Sequence, residues 1–107
     1  MGKDQLQGAL ELLILKVLAL EPLHGYGIAQ RIHQVSREAL RVEEGSLYPA
    51  LHRMEDEGWI ASSWAESENN RRAKFYRLTA AGRKQFAAES KRWAQTSVAI
   101  ARALEAS

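Results

Sequence analysis

Three cations, Arg71, Arg72 and Lys74, follow directly on the pair Asn69-Asn70. Guanidinium groups offer forked donors that fit phosphate oxygens, and an ammonium adds a compact positive charge beside them. A second set lies in "GSLYPALHRM", residues 45–54, which brings together Ser46, Tyr48, Pro49, His52 and Arg53. The two hydroxyls suit phosphate oxygens, His52 can donate to a base or a phosphate, and Arg53 can pair with the O6/N7 edge of guanine. Such chemistry recognises a polyanion with readable edges and makes or breaks no bond.

Reaction chemistry finds little support. His24, His33 and His52 lack the spacing of a metal-binding helix motif, and there is no cysteine to supply a thiolate ligand, a disulfide or a nucleophile. "HGYG" (residues 24–27) has too few glycines for a phosphate-cradling loop and no Lys-Ser/Thr after it. No serine sits in a nucleophile-elbow context. The expected protein is not an enzyme and needs neither cofactor nor metal.

The chain has 107 residues, 46% of them hydrophobic and 26% charged, which suits one small folded domain. A formal charge of +2 gives no general affinity for polyanions, so a nucleic-acid role must rest on where the charges sit. The apolar run at residues 9–20 is much shorter than the roughly 20 residues that span a bilayer, and Glu11 and Lys16 interrupt it. It reads as a core helix of a soluble, cytoplasmic protein.

The elements that must position the polar sets follow from spacing. The first helix is apolar nearly all round and calls for cover on most sides, with a second chain as one source. A second helix carries Ile28, Ile32 and Val35 on one face. "LRV", residues 40–42, alternates weakly as a strand. A third helix is expected to start with Ser46 as N-cap, Pro49 in its first turn and Gly58 just past its end. Leu47, Ala50, Leu51 and Met54 then face the core, and Tyr48, Pro49, His52 and Arg53 face outward. Strand-like runs at residues 59–65 and 73–79 flank a polar bend and predict a hairpin carrying Arg71, Arg72 and Lys74. From Ala80 onward Phe86, Ser90, Trp93, Ser97, Ile100 and Leu104 recur at spacings of four and three, a heptad seam on one long helix.

Helix, helix, short strand, helix and hairpin is the order of a winged helix-turn-helix, here followed by one long helix. The fold expected is mainly α with a small β hairpin, with residues 1–79 as the DNA-binding unit and residues 80–107 as the dimerisation helix. In that fold the third helix enters the major groove and the hairpin reaches the flanking backbone. Other readings remain open. An outward Tyr, His and Arg can be a plain solvated face, and the acidic trio Glu55, Asp56 and Glu57 opposes close approach to DNA. A winged-helix dimer that binds protein or a hydrophobic ligand, and a small hydrolase, are the rivals.

Three blocks, "LHGYGIAQRI" (residues 23–32), "GSLYPALHRMEDEGWI" (45–60) and "NNRRAKFYRLTAAGRKQF" (69–86), resemble the PadR-type transcriptional regulators. The resemblance implies that Tyr26 and Gly27 open the second helix near a phosphate, that residues 46–53 enter the major groove, and that Arg71, Arg72 and Lys74 form the wing. It implies a homodimer in which the last helix packs near the partner's first helix, placing Leu13, Val17, Phe86, Trp93, Ile100 and Leu104 at the interface. Two recognition helices about 34–36 Å apart would then read a palindromic operator on double-stranded DNA. One helix after the wing marks the short branch of the family. In a multidrug-responsive short member a matching tryptophan stacks on flat aromatic drugs. That gives Trp93 a ligand role and implies a small aromatic effector; the alternative is that Trp93 simply fills the seam.

Overall fold

Apolar residues at most positions of 9–20 give that stretch a broad face to bury, and it packs into the core of the protein. The computed structural model describes residues 2–106, with side chains from residue 9 onward. The first helix, α1 (Gly2–Leu20), buries Leu10, Ile14, Leu15, Val17 and Leu18. Their cover comes from the chain's own helices and sheet. Val17, expected at a dimer interface, is 0% exposed within one chain and has no surface left to offer a partner.

A two-residue strand, β1 (Leu23–His24), leads into α2 (Gly25–Val35). Ile28 and Ile32 are buried, while Val35 ends the helix beyond the core and is exposed. The expected strand at residues 40–42 does not form. Leu40 instead ties back to the end of α2: its N–H donates to Ser36 Oγ at 3.0 Å, and its carbonyl lies 3.1 Å from His33 Nδ1. Those side chains satisfy the backbone groups that a sheet would otherwise have paired.

The next helix, α3 (Glu44–Asp56), begins earlier than the sequence suggests. Glu43 is its N-cap through backbone geometry, with no side-chain cap bond, and the Glu43 carbonyl accepts from the N–H groups of Ser46 and Leu47 at 3.0 and 2.9 Å. Ser46 therefore lies within the first turn. Pro49 sits inside the helix, where it removes the donor for the Gly45 carbonyl. Gly45 is exposed, so water can take that donor's place. The other end follows expectation: Gly58 has φ +80°, and the Gly58 and Trp59 N–H groups return to the Glu55 and Met54 carbonyls at 3.0 Å each. This is a Schellman closure, which satisfies the last carbonyls of the helix.

β2 (Ile60–Glu66) and β3 (Arg72–Leu78) form the hairpin, and β1 adds on the far side of β3 to give an antiparallel sheet of order β1-β3-β2. Leu23 pairs with Tyr76, and Ser62 pairs with the same residue from the other side.

The last helix, α4 (Ala80–Glu105), starts on Thr79, whose Oγ1 accepts from the Gly82 N–H at 3.0 Å. That turn is pressed onto the end of α3. A Cβ on Gly82 would overlap the Trp59 carbonyl oxygen and crowd Leu78. Gly45 has open space around its Cβ position. Alanine at the two sites should therefore act with opposite signs. Gly82→Ala is expected to lower stability by roughly 1–3 kcal/mol, because a backbone carbonyl cannot yield as a side chain can. Gly45→Ala should raise it by about 0.4–1 kcal/mol by restricting the unfolded chain. Thermal or urea unfolding of the two variants checks both; equal shifts in one direction would remove the steric account of Gly82.

Candidate nucleic-acid interface

The fourfold buried pattern of α3 (Leu47, Ala50, Leu51, Met54) fixes which of its residues meet solvent. Ser46, Tyr48, Pro49 and His52 are exposed as expected. His52 faces Asp56 one turn on at 3.7 Å, with both side chains open to water, where such a pair contributes little. Tyr48 leans across to the start of α2, and its ring covers Gly25 so closely that any Cβ there would overlap it. Gly25 thus permits one aromatic residue of α3 to lock the angle between the two helices.

Arg53 departs from expectation. It is turned toward α1, where its Nε–H and Nη2–H donate to Glu11 Oε2 at 3.4 and 3.1 Å. Its guanidinium is half-buried beside a half-buried carboxylate, so it is not simply presented outward.

At the start of α2, Tyr26 is 69% exposed and stacks loosely on His24. Gly27 lies beside it in the first turn of α2, and its N–H donates to His24 Nδ1 at 3.0 Å, which caps the helix. Histidine is outside the usual set of N-cap residues, which is why sequence reasoning passed over His24.

The hairpin bend is closed by Asn70 N–H to Ser67 O at 3.0 Å and Ser67 N–H to Arg71 O at 2.7 Å, with Asn70 at φ +59°. Asparagine tolerates that left-handed conformation. Arg71 and Arg72 are exposed beyond the bend, and the Arg72 guanidinium lies 5.7 Å from the centre of the Trp64 ring. Trp64 is itself exposed and does not pack in the core.

Lys74, grouped with the two arginines by sequence, stands further down the hairpin. Its Nζ is 3.5 Å from Glu55 Oε1 and 5.5 Å from the centre of the Tyr76 ring. Glu55 also accepts from Ser62 Oγ at 2.6 Å. The Ser62 hydrogen bond, with Lys74 assisting and burial opposing, holds the Glu55 carboxyl below its ordinary range. One member of the acidic trio is thereby compensated and pins α3 to both hairpin strands. Burial pushes the Tyr76 hydroxyl up.

These contacts bring three separately named segments to one place. Tyr26, Tyr48 and Lys74, with His24, Trp64 and Tyr76, line an open depression of about 460 Å³ between α2, α3 and the hairpin. Aromatic walls, phenolic hydroxyls and an ammonium suit a sugar-phosphate strand. Ser46 and His52 continue this surface along α3, and Arg71 and Arg72 extend the hairpin beyond it.

A second feature lies along α1 and α4. Leu12, Leu13 and Lys16 face Phe86, Ser90, Trp93 and Ala94 across an apolar groove of about 310 Å³. Trp93 remains 49% exposed, and every described residue of α4 from Lys91 onward is exposed. Among the described residues no group of three or more His, Cys, Asp or Glu side chains is placed to hold a metal, and no helix is long and apolar enough to cross a membrane.

Residues 14–88 match the model of the transcriptional regulator PadR-like family. The chain is 38% identical over 77 residues to the transcriptional regulator Rv3488 of Mycobacterium tuberculosis, spanning 72% of this chain and 68% of that one. Its structure is similar to that of a transcriptional regulator from Clostridium thermocellum, with TM-score 0.84 and 29% identity over 94% of this chain and 97% of that one. It is also similar to a PadR-like transcriptional regulator from Bacillus cereus, with TM-score 0.82 and 28% identity over 98% and 100% of the two chains. The matched family and these relatives are regulators of transcription and not enzymes.

Proposed function

Since the chain belongs to the PadR-like family of transcriptional regulators, we propose that it acts as a homodimeric repressor on a palindromic promoter element. Family membership supports DNA-binding regulation in general; the dimer, the operator symmetry and the sign of regulation are our reading. In it residues 1–79 bind DNA in the cytoplasm and residues 80–107 hold two chains together. Repression is by occupancy of the promoter.

The observation that carries the reading is the shared surface of Tyr26, Tyr48 and Lys74, flanked by Ser46, Pro49 and His52 on α3 and by Arg71 and Arg72 on the hairpin. Ser46 to His52 enter the major groove, Tyr26 meets a phosphate beside α2, and the hairpin arginines follow the sugar-phosphate backbone. Gly27 sits beside Tyr26 in the same first turn, its N–H held by His24 Nδ1. The guanine contact assigned to Arg53 requires its link to Glu11 to open.

Selection of bound duplexes from a random pool tests this directly. An inverted repeat with half-site centres about 10–10.5 base pairs apart is expected. Enrichment of single half-sites, or of nothing, would overturn it.

The groove beside Trp93 supports a second element, release by a planar aromatic effector. Such a compound should quench Trp93 fluorescence and dissociate the DNA at the same concentrations. Quenching that leaves DNA bound would leave Trp93 as seam filler alone.

A further inference from the structure

We propose that Trp64 is itself a DNA contact, its ring packing on a deoxyribose of the strand that the hairpin follows. The proposal rests on the DNA-binding reading above. Every second residue of a strand points to the same side, so Ile60, Ser62 and Trp64 share one face of β2. Protein covers that face at first: Ile60 is buried in the core, and Ser62 Oγ donates to Glu55 near the end of α3 at 2.6 Å. The cover ends at Trp64, which is 59% exposed. A position open to water ordinarily takes a polar residue, yet here the chain places its largest apolar side chain. The surroundings of the ring are cationic: Lys74 pairs with Trp64 across the ladder, and the Arg72 guanidinium lies 5.7 Å from the ring centre. Of the nearby carboxylates, Glu55 is engaged by Ser62 and Lys74, and Glu66 stands opposite Arg72 in the ladder. Trp64 also borders the depression lined by Tyr26, Tyr48 and Lys74, so it is continuous with the surface already assigned to DNA. A DNA strand alternates anionic phosphates with sugars whose C–H faces are apolar, and the hairpin sets a π face among its cations in the same manner. Arg71 and Arg72 meet phosphates, and Trp64 meets the sugar beside them.

An apolar contact releases no counterions, so its loss weakens binding without changing the salt dependence. Trp64→Ala removes one ring from each chain, and the affinity of the dimer should fall roughly 10- to 100-fold, about three- to tenfold per chain. The log–log salt slope should stay at its wild-type value, whereas Arg72→Ala should flatten it by about 1.8, for two contacts per dimer. Trp64→Phe keeps a smaller ring and should retain most of the affinity. In an Arg72→Ala background most of the Trp64→Ala loss should remain. Acrylamide, a neutral quencher that DNA does not repel, gives an independent readout. Bound duplex should shield part of the wild-type tryptophan emission, and that part should be missing in Trp64→Phe. The proposal is overturned if Trp64→Ala binds as wild type or flattens the slope as an arginine replacement does. It is equally overturned if the loss disappears without Arg72, which makes Trp64 a support for that guanidinium alone, or if duplex shields Trp64→Phe as much as wild type. Absence of wild-type binding to any duplex would overturn the DNA-binding reading itself, and this inference with it. Thermal melts of each variant confirm that folded proteins are compared.

Discussion

Arg71→Ala combined with Arg72→Ala is expected to weaken binding to every duplex and to flatten its dependence on salt. Each arginine that neutralises a phosphate contributes about 0.9 to the log–log slope, so losing two per chain, four in the dimer, removes about 3.6. That corresponds to roughly a 4,000-fold loss at 0.1 M salt, shrinking toward none near 1 M. The geometry supports counting both. Arg71 and Arg72 are exposed past the bend, and the Arg72 guanidinium lies over the Trp64 ring, 5.7 Å from its centre. A cation held over an aromatic ring is already partly ordered, so less freedom is lost when it meets a phosphate. Neither residue lies in the core, so the unfolding transition should move little. The measurement is titration of one duplex at several salt concentrations. A slope equal to wild type would take the hairpin out of the interface, leaving α3 and the start of α2 to account for binding.

The parts of this fold that sequence reveals are those fixed by neighbours along the chain. The buried face of α3 follows from helical spacing alone, Gly58 announces the end of that helix, and Asn69-Asn70 marks the bend. The parts that escaped are fixed by distant residues. β1 is two residues long, too short for any periodicity, and exists because Leu23 meets Tyr76. The stretch at 40–42 alternates like a strand but pairs with none, and Ser36 and His33 hold the Leu40 backbone instead. Spacing places Arg53 on the outer face of α3, and only the packing of α1 beside it reveals Glu11. Lys74 reads as part of a basic cluster until Glu55 is brought next to it. Charged side chains at an interface are the residues whose direction a sequence states least, because their partners are chosen by the fold.

The same contrast between local and distant partners bears on α4. Ile100→Asp combined with Leu104→Asp is expected to abolish the dimer while leaving the chain folded. The core of Leu10, Ile14, Leu15, Ile28, Ile32, Leu51 and Met54 is closed within one chain, and α4 touches it through Phe86 near its start. Ile100 and Leu104 are 54% and 80% exposed, on a helix of 26 residues, about 39 Å long, whose described residues are all exposed from Lys91 onward. An apolar row on such a projecting helix is stable in water only when covered. Two aspartates per chain in a shared seam would bring four carboxylates into apolar surroundings, where each lacks a partner. Losing the second chain turns a two-site grip on the operator into a one-site grip, for which a fall of roughly 10²–10⁴ in affinity is expected. The salt slope should drop to about half, because half of the phosphate contacts are gone. This distinguishes the variant from the arginine pair, which stays dimeric. Light scattering, a melt and a titration on an inverted repeat decide the matter: a variant that remains dimeric shows that the seam is not the interface, and a monomer that binds the repeat as tightly as wild type shows that symmetry plays no part in recognition.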